Sequence, residues 1–355
     1  MYDIVIVGSG PAGANLARLI GDNYKVLLID KRDLENENHK NVINKCCGGL
    51  LAPDAQKMIA KLGLGVPKDI LVDPQLFAVR TIDLTNNLER LYQRFYHNMD
   101  REKFDRWLIS LLPTGVDKKF NSFFKGFTKT QEGYEIKYIY NGHETAARTK
   151  VIVGADGALS NIRKSICYDI NFPERYISIQ EWYECQSTMP YFTAVFDKEI
   201  SNFYSWVIPK NKCLLLGAAL RPGDNTREKY NLLKAKLTQL GFNFGNKLKT
   251  EGAFINRPTK ISQFYAGRDC IALVGEAAGA ISPSSAEGIS YALKSSLYLA
   301  ESLEDGIDGF LNRYEQKVKD IKLNLLIKNL KSPAMFNPFL RNFAMKSGLQ
   351  SLKQN

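Results

Sequence analysis

The sequence predicts an α/β fold in which a strand–helix–strand domain of the parallel-sheet type carries an α+β insert built on an antiparallel sheet, followed by C-terminal helices. Three observations predict it. Residues 2–30 read as strand, glycine turn, helix, strand and acid. Two later apolar strands, ending at Gly154 and Val274, run into glycine-rich loops of the same shape. Between them, residues 170–252 hold aromatic-rich candidate strands instead. A chain of 355 residues exceeds one simple core, so one large or two intimately packed domains are expected.

Tyr2 to Val7 is an apolar, β-branched run suited to a buried parallel strand. Gly8-Ser9-Gly10-Pro11-Ala12-Gly13 follows, and a helical pattern then places Leu16, Leu19 and Ile20 on one face. A second apolar strand, residues 25–29, ends in Asp30, 22 residues after Gly8. Gly8 permits the tight turn, Gly10 lets backbone approach a pyrophosphate, and Gly13 lets the helix pack close to the strand. The first helical turn offers unpaired N–H groups and a positive dipole end to phosphates. Pro11 is tolerated there because a first-turn N–H lacks an intrahelical partner anyway. Asp30 can accept hydrogen bonds from an adenosine ribose. A glycine-rich turn in an ordinary βαβ unit gives no reason for three glycines and the acid together. The stretch therefore reads as a dinucleotide site, for FAD or NAD.

Residues 31–45 are polar and charged and read as a surface excursion. They lead to Cys46-Cys47-Gly48-Gly49, where paired glycines suggest a turn in which backbone comes close to something. Asp54 reads as the N-cap of a short helix reaching Leu62. Residues 77–96 are strand-like around an Asn86-Asn87 turn. Asp100 starts a helix with Phe104, Trp107, Leu108, Leu111 and Leu112 at helical spacing. Residues 120–153 read as a meander turning at Gln131-Glu132-Gly133 and Asn141-Gly142. Segments 176–184, 191–197, 203–210 and 213–220 are candidate strands of an antiparallel sheet with a face available for a ligand, and 226–240 is a helix. The tail from Leu311 is helical and basic, with nine Lys/Arg against two acids.

The net charge of +11 favours anionic partners, but no compact Lys/Arg run interleaved with aromatics points to nucleic acid. The first strand begins at Tyr2, which leaves no room for a signal peptide, and no run of about 18 uncharged apolar residues exists to span a membrane. Six cysteines lack a regular framework, so a reducing cytoplasm is the simplest location. His39, His97 and His143 are scattered in polar surroundings and suggest no metal site.

Three separated stretches need one explanation: the N-terminal fingerprint, Gly154-Ala155-Asp156-Gly157 with Ser160 and Arg163, and Gly275-Glu276-Ala277-Ala278-Gly279 with Pro283, Glu287 and Gly288. Together they resemble the flavoprotein oxidoreductase superfamily of p-hydroxybenzoate hydroxylase, flavin-dependent halogenases and geranylgeranyl reductases. In that superfamily a dinucleotide fingerprint, an internal ADG segment and a C-terminal GD segment wrap one FAD. The resemblance implies FAD rather than NAD, and a Rossmann-like FAD-binding domain. Lys45-Cys46-Cys47-Gly48-Gly49-Leu50 resembles the K-P-C-G-G-G/L segment of the geranylgeranyl reductase family, with Cys47 on the family cysteine. Phe203 to Pro209 resembles that family's Y-x-W-x-F-P segment, with Ile208 for Phe. Length and order look closest to bacterial flavoproteins of the CbrA type.

The resemblance implies a discontinuous FAD-binding domain over 1–75, 97–168 and 262–305, a substrate domain over 76–96 and 169–261, and a basic helical segment over 306–355. It implies that Gly8, Gly10, Pro11, Ala12 and Gly13 hold the pyrophosphate, that Asp30, with Lys31 beside it, binds the adenosine ribose, and that Asp156 orders the pyrophosphate segment. Glu276 replaces the family's usual Asp on the ribitol, between Gly275 and Gly279, and the added methylene implies a contact that is either shifted or water-bridged. Gly288 and Ile289 would face the pyrimidine edge of the flavin at a helix N-terminus. Gly48 and Gly49 would approach the cofactor. Arg101, in an R-x-x-F-D-x-x-L pattern, is either beside the cofactor or a solvated helix charge.

The activity implied is FAD-dependent reduction of carbon–carbon double bonds in an apolar, prenyl-like, lipid-like or aromatic substrate, by hydride transfer from reduced flavin. The rivals are an aromatic monooxygenase and a non-catalytic flavin redox sensor. A halogenase fits less well, since Tyr204 stands at the first Trp of the halogenase segment. Cys47 is the catalytic candidate, as proton donor or redox thiol, against a small buried core residue or half of a vicinal disulfide with Cys46. Tyr204 and Trp206 share one strand face, as core or as an aromatic wall over the substrate that Phe192, Phe196 and Trp182 extend. Pro283 is the third substrate-side residue. No second dinucleotide fingerprint exists for an electron donor, so NAD(P)H would bind transiently or a ferredoxin would serve. The basic tail is a solvated cap or a peripheral contact with anionic membrane.

Overall fold

The computed structural model describes residues 1–35, 45–167, 172–185, 189–223 and 225–352. Most of the predicted excursion, including His39, lies outside the described residues, as do Lys353 and the first residues of the segment expected from 170. The chain begins β1 (Tyr2–Val7), α1 (Pro11–Ile20), β2 (Val26–Ile29), β3 (Leu50–Leu51) and α2 (Pro53–Lys61). It continues with β4 (Leu76–Asp83), β5 (Leu88–Asn98), α3 (Arg101–Ser110), β6 (Asp117–Lys119), β7 (Ser122–Thr130), β8 (Gly133–Tyr140), β9 (His143–Gly154) and α4 (Asn161–Ile166). Then come β10 (Glu174–Glu184), β11 (Tyr191–Phe196), β12 (Ser205–Lys210), β13 (Cys213–Leu220), α5 (Thr226–Gln239) and β14 (Lys247–Arg257). The last elements are β15 (Gly267–Arg268), β16 (Ile271–Leu273), α6 (Ile289–Leu303), α7 (Phe310–Lys317), α8 (Lys319–Phe336) and α9 (Pro338–Lys346).

These elements group into two units. The first is Met1–Asn44, Glu102–Glu174 and Asn256–Ile327; the second is Lys45–Arg101, Arg175–Ile255 and Lys328–Asn355. Residues 45–75 and 97–101 thus group with the second unit rather than with the fingerprint, and the C-terminal helices divide between the two.

In the first unit β16, β9, β1, β2 and β6 lie side by side in parallel. β1, β2 and the end of β9 are apolar on both faces and almost wholly buried, as a parallel sheet covered by helices requires. The β7–β8 hairpin joins the far side of β9. Helices α1 and α6 meet through buried Asn15, whose Nδ2 donates to Ser296 Oγ at 2.8 Å.

The second unit is one eight-stranded sheet in the order β14-β10-β13-β12-β11-β4-β5-β3. It is mixed rather than antiparallel: β11 runs parallel to β4, with Tyr191 opposite Ala78 and Phe196 opposite Asp83. One sheet face buries Tyr183, Val195, Val207, Leu214 and Leu216 under Tyr230, Leu233 and Leu237 of α5. The other face carries Gln180, Trp206 and Ile208, by the strand period of two. Asp54 is not the cap of α2: Ala52 is the N-cap, Pro53 takes the first helical position, and Asp54 lies within the first turn.

Candidate active site

In the first unit, Gly8 has φ +103°, and a β-carbon on it would meet the Ala155 carbonyl at 2.4 Å. A β-carbon on Gly13 would lie 1.9 Å from the Gly8 carbonyl. These two glycines lock the turn, α1 and the end of β9 together. Gly10 differs: among the described residues nothing lies within 4 Å of its β-carbon position, so open space faces its backbone. Gly10 is also the N-cap of α1 and supplies no side-chain cap, with Pro11 next. Among the described residues the first-turn donors of this ten-residue helix have no side-chain acceptor, and they suit an anion.

Asp30 is buried, and its Oδ2 accepts from Ser9 N at 2.6 Å and Ser9 Oγ at 2.8 Å. Arg32, which sequence reasoning passed over, donates to Asp30 Oδ1 from N at 2.8 Å and from Nε at 3.3 Å. Arg32 also reaches Asp105 at 2.7 Å. Burial alone would raise the Asp30 carboxyl; the Arg32 charge, with the Arg32 and Ser9 hydrogen bonds, holds it below the usual carboxylate range. Asp30 is thus an oriented carboxylate at the end of β2. Lys31 beside it is exposed.

Asp156 Oδ2 accepts from Asn161 N at 2.7 Å and Ile162 N at 3.3 Å, holding the start of α4. Its Oδ1 is buried with no partner among the described residues, and burial raises its carboxyl. Arg163 donates to the carbonyls of Ala277 at 3.1 Å and Gln263 at 2.6 Å, tying the second and third sequence stretches together. Glu276 Oε1 accepts from Asn256 N at 2.9 Å, and Gly275 N donates to Ser295 Oγ at 2.9 Å. A β-carbon on Gly279 would lie 2.5 Å from the Gln263 carbonyl. Gly288 is the N-cap of α6 and Ile289 its first residue. Glu287 accepts from Ser290 N at 2.7 Å, so a carboxylate already sits at the helix end expected to face the flavin. The Pro283 carbonyl accepts from Arg257 Nε at 3.1 Å.

In the second unit, the Cys46–Gly49 segment crosses the sheet face that carries Trp206. Cys46 Sγ lies 3.7 Å from Ser178 Oγ on β10, and burial pushes its thiol up to about 12. A β-carbon on Gly48 would meet Ile208 Cδ1 at 2.6 Å; one on Gly49, at φ +60°, would meet the Met99 carbonyl at 2.3 Å. The chain's own packing therefore gives both glycines a sufficient reason. Cys47 Sγ accepts from Gly49 N at 3.4 Å and from Arg101 Nη1 at 3.4 Å. Arg101 opens α3 and is paired with Cys47, not a solvated charge. Among the described residues the six cysteines form no disulfide, so Cys46 and Cys47 are not a vicinal pair.

Lys210 completes this cluster and was missed in the sequence. It is 5 % exposed, and its Nζ donates to the carbonyls of Gly49 at 2.9 Å and Met99 at 2.8 Å. Burial pulls its ammonium down to about 7, although Cys47 and Asp100 favour the charge. Tyr204 and Trp206 have ring centroids 5.4 Å apart, and Tyr204 also packs against Phe196 and Phe203. Phe192 pairs instead with Tyr96, and Trp182 donates to Glu251 at 2.9 Å.

The twin-glycine lock, the open backbone at Gly10, the uncapped start of α1, the oriented Asp30 and the orphaned Asp156 oxygen fit a dinucleotide cofactor. The family model for the FAD binding domain matches residues 1–239. The chain belongs to this family of FAD-dependent flavoprotein oxidoreductases, and its cofactor is FAD. It is 35 % identical over 353 residues to protein CbrA of Escherichia coli strain K12, covering 99 % of this chain and 98 % of that one. Among solved structures it is similar to a geranylgeranyl bacteriochlorophyll reductase-like protein from Thermoplasma acidophilum, with a TM-score of 0.80 at 19 % identity over 98 % of this chain and 90 % of that one. It is also similar to pqsL of Pseudomonas aeruginosa, a probable FAD-dependent monooxygenase, with a TM-score of 0.69 at 15 % identity over 98 % and 99 % of the two chains. The flavin-dependent brominase Bmp2 gives 0.66 at 21 % identity over 97 % and 92 %. These structural likenesses carry the fold.

Proposed function

We propose that this protein reduces carbon–carbon double bonds of an apolar substrate, prenyl-like, lipid-like or aromatic, with Cys47 as its proton donor. Bound FAD supplies the electrons, as hydride. Saturating a double bond needs one hydride and one proton, and the chain supplies the proton. The observation that carries this reading is the Cys47 sulfur, held by two N–H donors in the unit whose sheet face presents Trp206. Those donors stabilise the sulfur anion left when the proton departs. Gly8, Gly10 and Gly13 with the start of α1 would hold the pyrophosphate, and Asp30 the adenosine ribose. NAD(P)H or a ferredoxin would supply the electrons upstream.

The test is anaerobic. The holoenzyme is reduced with dithionite and mixed with a prenyl alkene. Reoxidation with appearance of the saturated product is expected. Oxygen consumption with a hydroxylated aromatic product would assign it as a monooxygenase. Reduction with no turnover of either acceptor would leave a flavin redox sensor.

The C-terminal helices add a location. Along α8, Leu323, Leu326, Ile327 and Leu330 are exposed at helical spacing, and on α9 Phe339 and Phe343 are two-thirds exposed. From Ile321 to Leu352 there is no acid, whereas Lys331 and Lys346 are exposed. Exposed apolar side chains among lysines suit the surface of an anionic bilayer, where an apolar substrate resides. No helix among the described residues is long and apolar enough to cross a membrane.

A further inference from the structure

Gln180, Gly217 and Trp206 form one row across β10, β13 and β12: Gln180 pairs with Gly217, and Gly217 pairs with Trp206. Residues paired across antiparallel strands share a sheet face. The Trp206 indole lies over Gly217, where a β-carbon would meet Nε1 and Cε2 at 2.2 Å. Glycine at this place admits the ring and brings its N–H edge over the strand next to Gln180. Trp206 is 6 % exposed and Gln180 is 1 % exposed. Among the described residues neither Trp206 Nε1 nor Gln180 Oε1 has a hydrogen-bond partner.

Buried polar groups in folded proteins are nearly always satisfied, so an orphaned donor and an orphaned acceptor in one row ask for a ligand atom. A hydroxyl is the smallest group that serves both. Its oxygen accepts from Trp206 Nε1–H, and its hydrogen goes to Gln180 Oε1. On the same face Ile208 lies two residues along from Trp206, and the Tyr204 ring lies beside the indole. We propose that Gln180 and Trp206 form the head subsite for a hydroxyl carried on an apolar chain, so that the substrate is an apolar alcohol rather than a hydrocarbon. This deepens the reading above and rests on its apolar substrate. A ligand without the hydroxyl leaves both buried groups unpaired, which costs about tenfold or more in affinity.

The test is equilibrium dialysis of the FAD-loaded protein against farnesol and against farnesyl methyl ether. The ether keeps the acceptor oxygen and lacks the donor hydrogen. Farnesol should bind about tenfold or more tightly than the ether. Gln180→Met should bring that ratio to about one, and Trp206→Phe should weaken both ligands alike, since both accept from Nε1. Equal affinities in the wild type overturn the subsite, as does a ratio that survives Gln180→Met; a notch that holds only water gives the first of these results. Binding of neither ligand overturns the apolar-substrate reading and the subsite with it. The wild-type ratio needs no variant, so a variant that fails to fold does not block the test.

Discussion

The Arg101 guanidinium donates to the Cys47 sulfur at 3.4 Å, and the Gly49 N–H reaches the same sulfur at the same distance. Both donors point an N–H at the sulfur. Cys47→Ser keeps the size and offers a far weaker acid. It should leave FAD content, read by visible absorbance, unchanged and slow alkene-driven reoxidation about 100-fold, the range of a lost general acid. Arg101→Gln should slow it less, because Gly49 still donates. Unchanged single-turnover rates in Cys47→Ser would remove this thiol from the chemistry.

Two carbonyls, rather than a carboxylate, hold the buried Lys210 ammonium. Its ordinary value is 10.5 and its folded value about 7. Between those two values the unfolded chain carries a proton here that the folded chain does not. Stability at this group therefore rises with pH across that window and is flat on either side of it. The slope is at most about 1.4 kcal/mol per pH unit. Urea midpoints of wild type and Lys210→Met, measured from pH 7 to 10, should diverge in favour of the wild type. Parallel curves would count against a neutral buried amine.

The two kinds of glycine in the fingerprint separate folding from binding. A methyl on Gly13 would fall 1.9 Å from a backbone oxygen, whereas one on Gly10 meets nothing within 4 Å. Gly10→Ala should therefore leave the urea midpoint nearly unchanged while weakening FAD binding, if the proposed pyrophosphate fills that space. Gly13→Ala should lower both. A Gly10→Ala protein that binds FAD as the wild type does would place the pyrophosphate elsewhere.

Asp83 and Arg341 form a buried bidentate pair, with Nε to Oδ2 at 2.7 Å and Nη2 to Oδ1 at 2.9 Å. It fastens α9 to the end of β4. Removing one partner of such a pair strands the other charge, so Arg341→Met should cost about 3–5 kcal/mol in chemical denaturation. Replacing both by apolar residues should recover most of that loss. Equal destabilisation by the single and double variants would mean that the arginine acts by packing alone.

What was legible in the sequence was local. Gly8, Gly10, Gly13 and Asp30 lie within one βαβ unit, so their spacing can be read along the chain. Lys210 carried no such signal: a lysine after Pro209 reads as the polar end of a strand, and its partners Gly49 and Met99 lie 161 and 111 residues away. Arg32 was hidden beside Lys31, which has the same charge and stays exposed. The Gln180–Gly217–Trp206 row exists only once three strands have found their register, and register between distant strands is not written in either strand alone. The parallel pairing of β11 with β4 escaped for the same reason: alternation gives a strand its faces but not its neighbour or direction.

The C-terminal helices give the remaining prediction. Leu330, Phe339 and Phe343 are 73 %, 68 % and 66 % exposed, which an aqueous surface does not favour. A second copy of this chain fits poorly as the cover, because residues 321–352 hold lysines and arginine but no acid, and pairing the face with itself would oppose like charges. An anionic bilayer would answer both features: its headgroups would meet Lys331 and Lys346, and its acyl boundary would take the Phe and Leu side chains. Full-length protein should sediment with vesicles containing phosphatidylserine and far less with phosphatidylcholine alone, and 0.5 M salt, on the order of a 4 Å screening length, should weaken the binding. Phe339→Ser with Phe343→Ser should reduce pelleting at low salt while leaving FAD bound. Pelleting that ignores lipid charge, salt and both phenylalanines would reject the bilayer as the partner of this face.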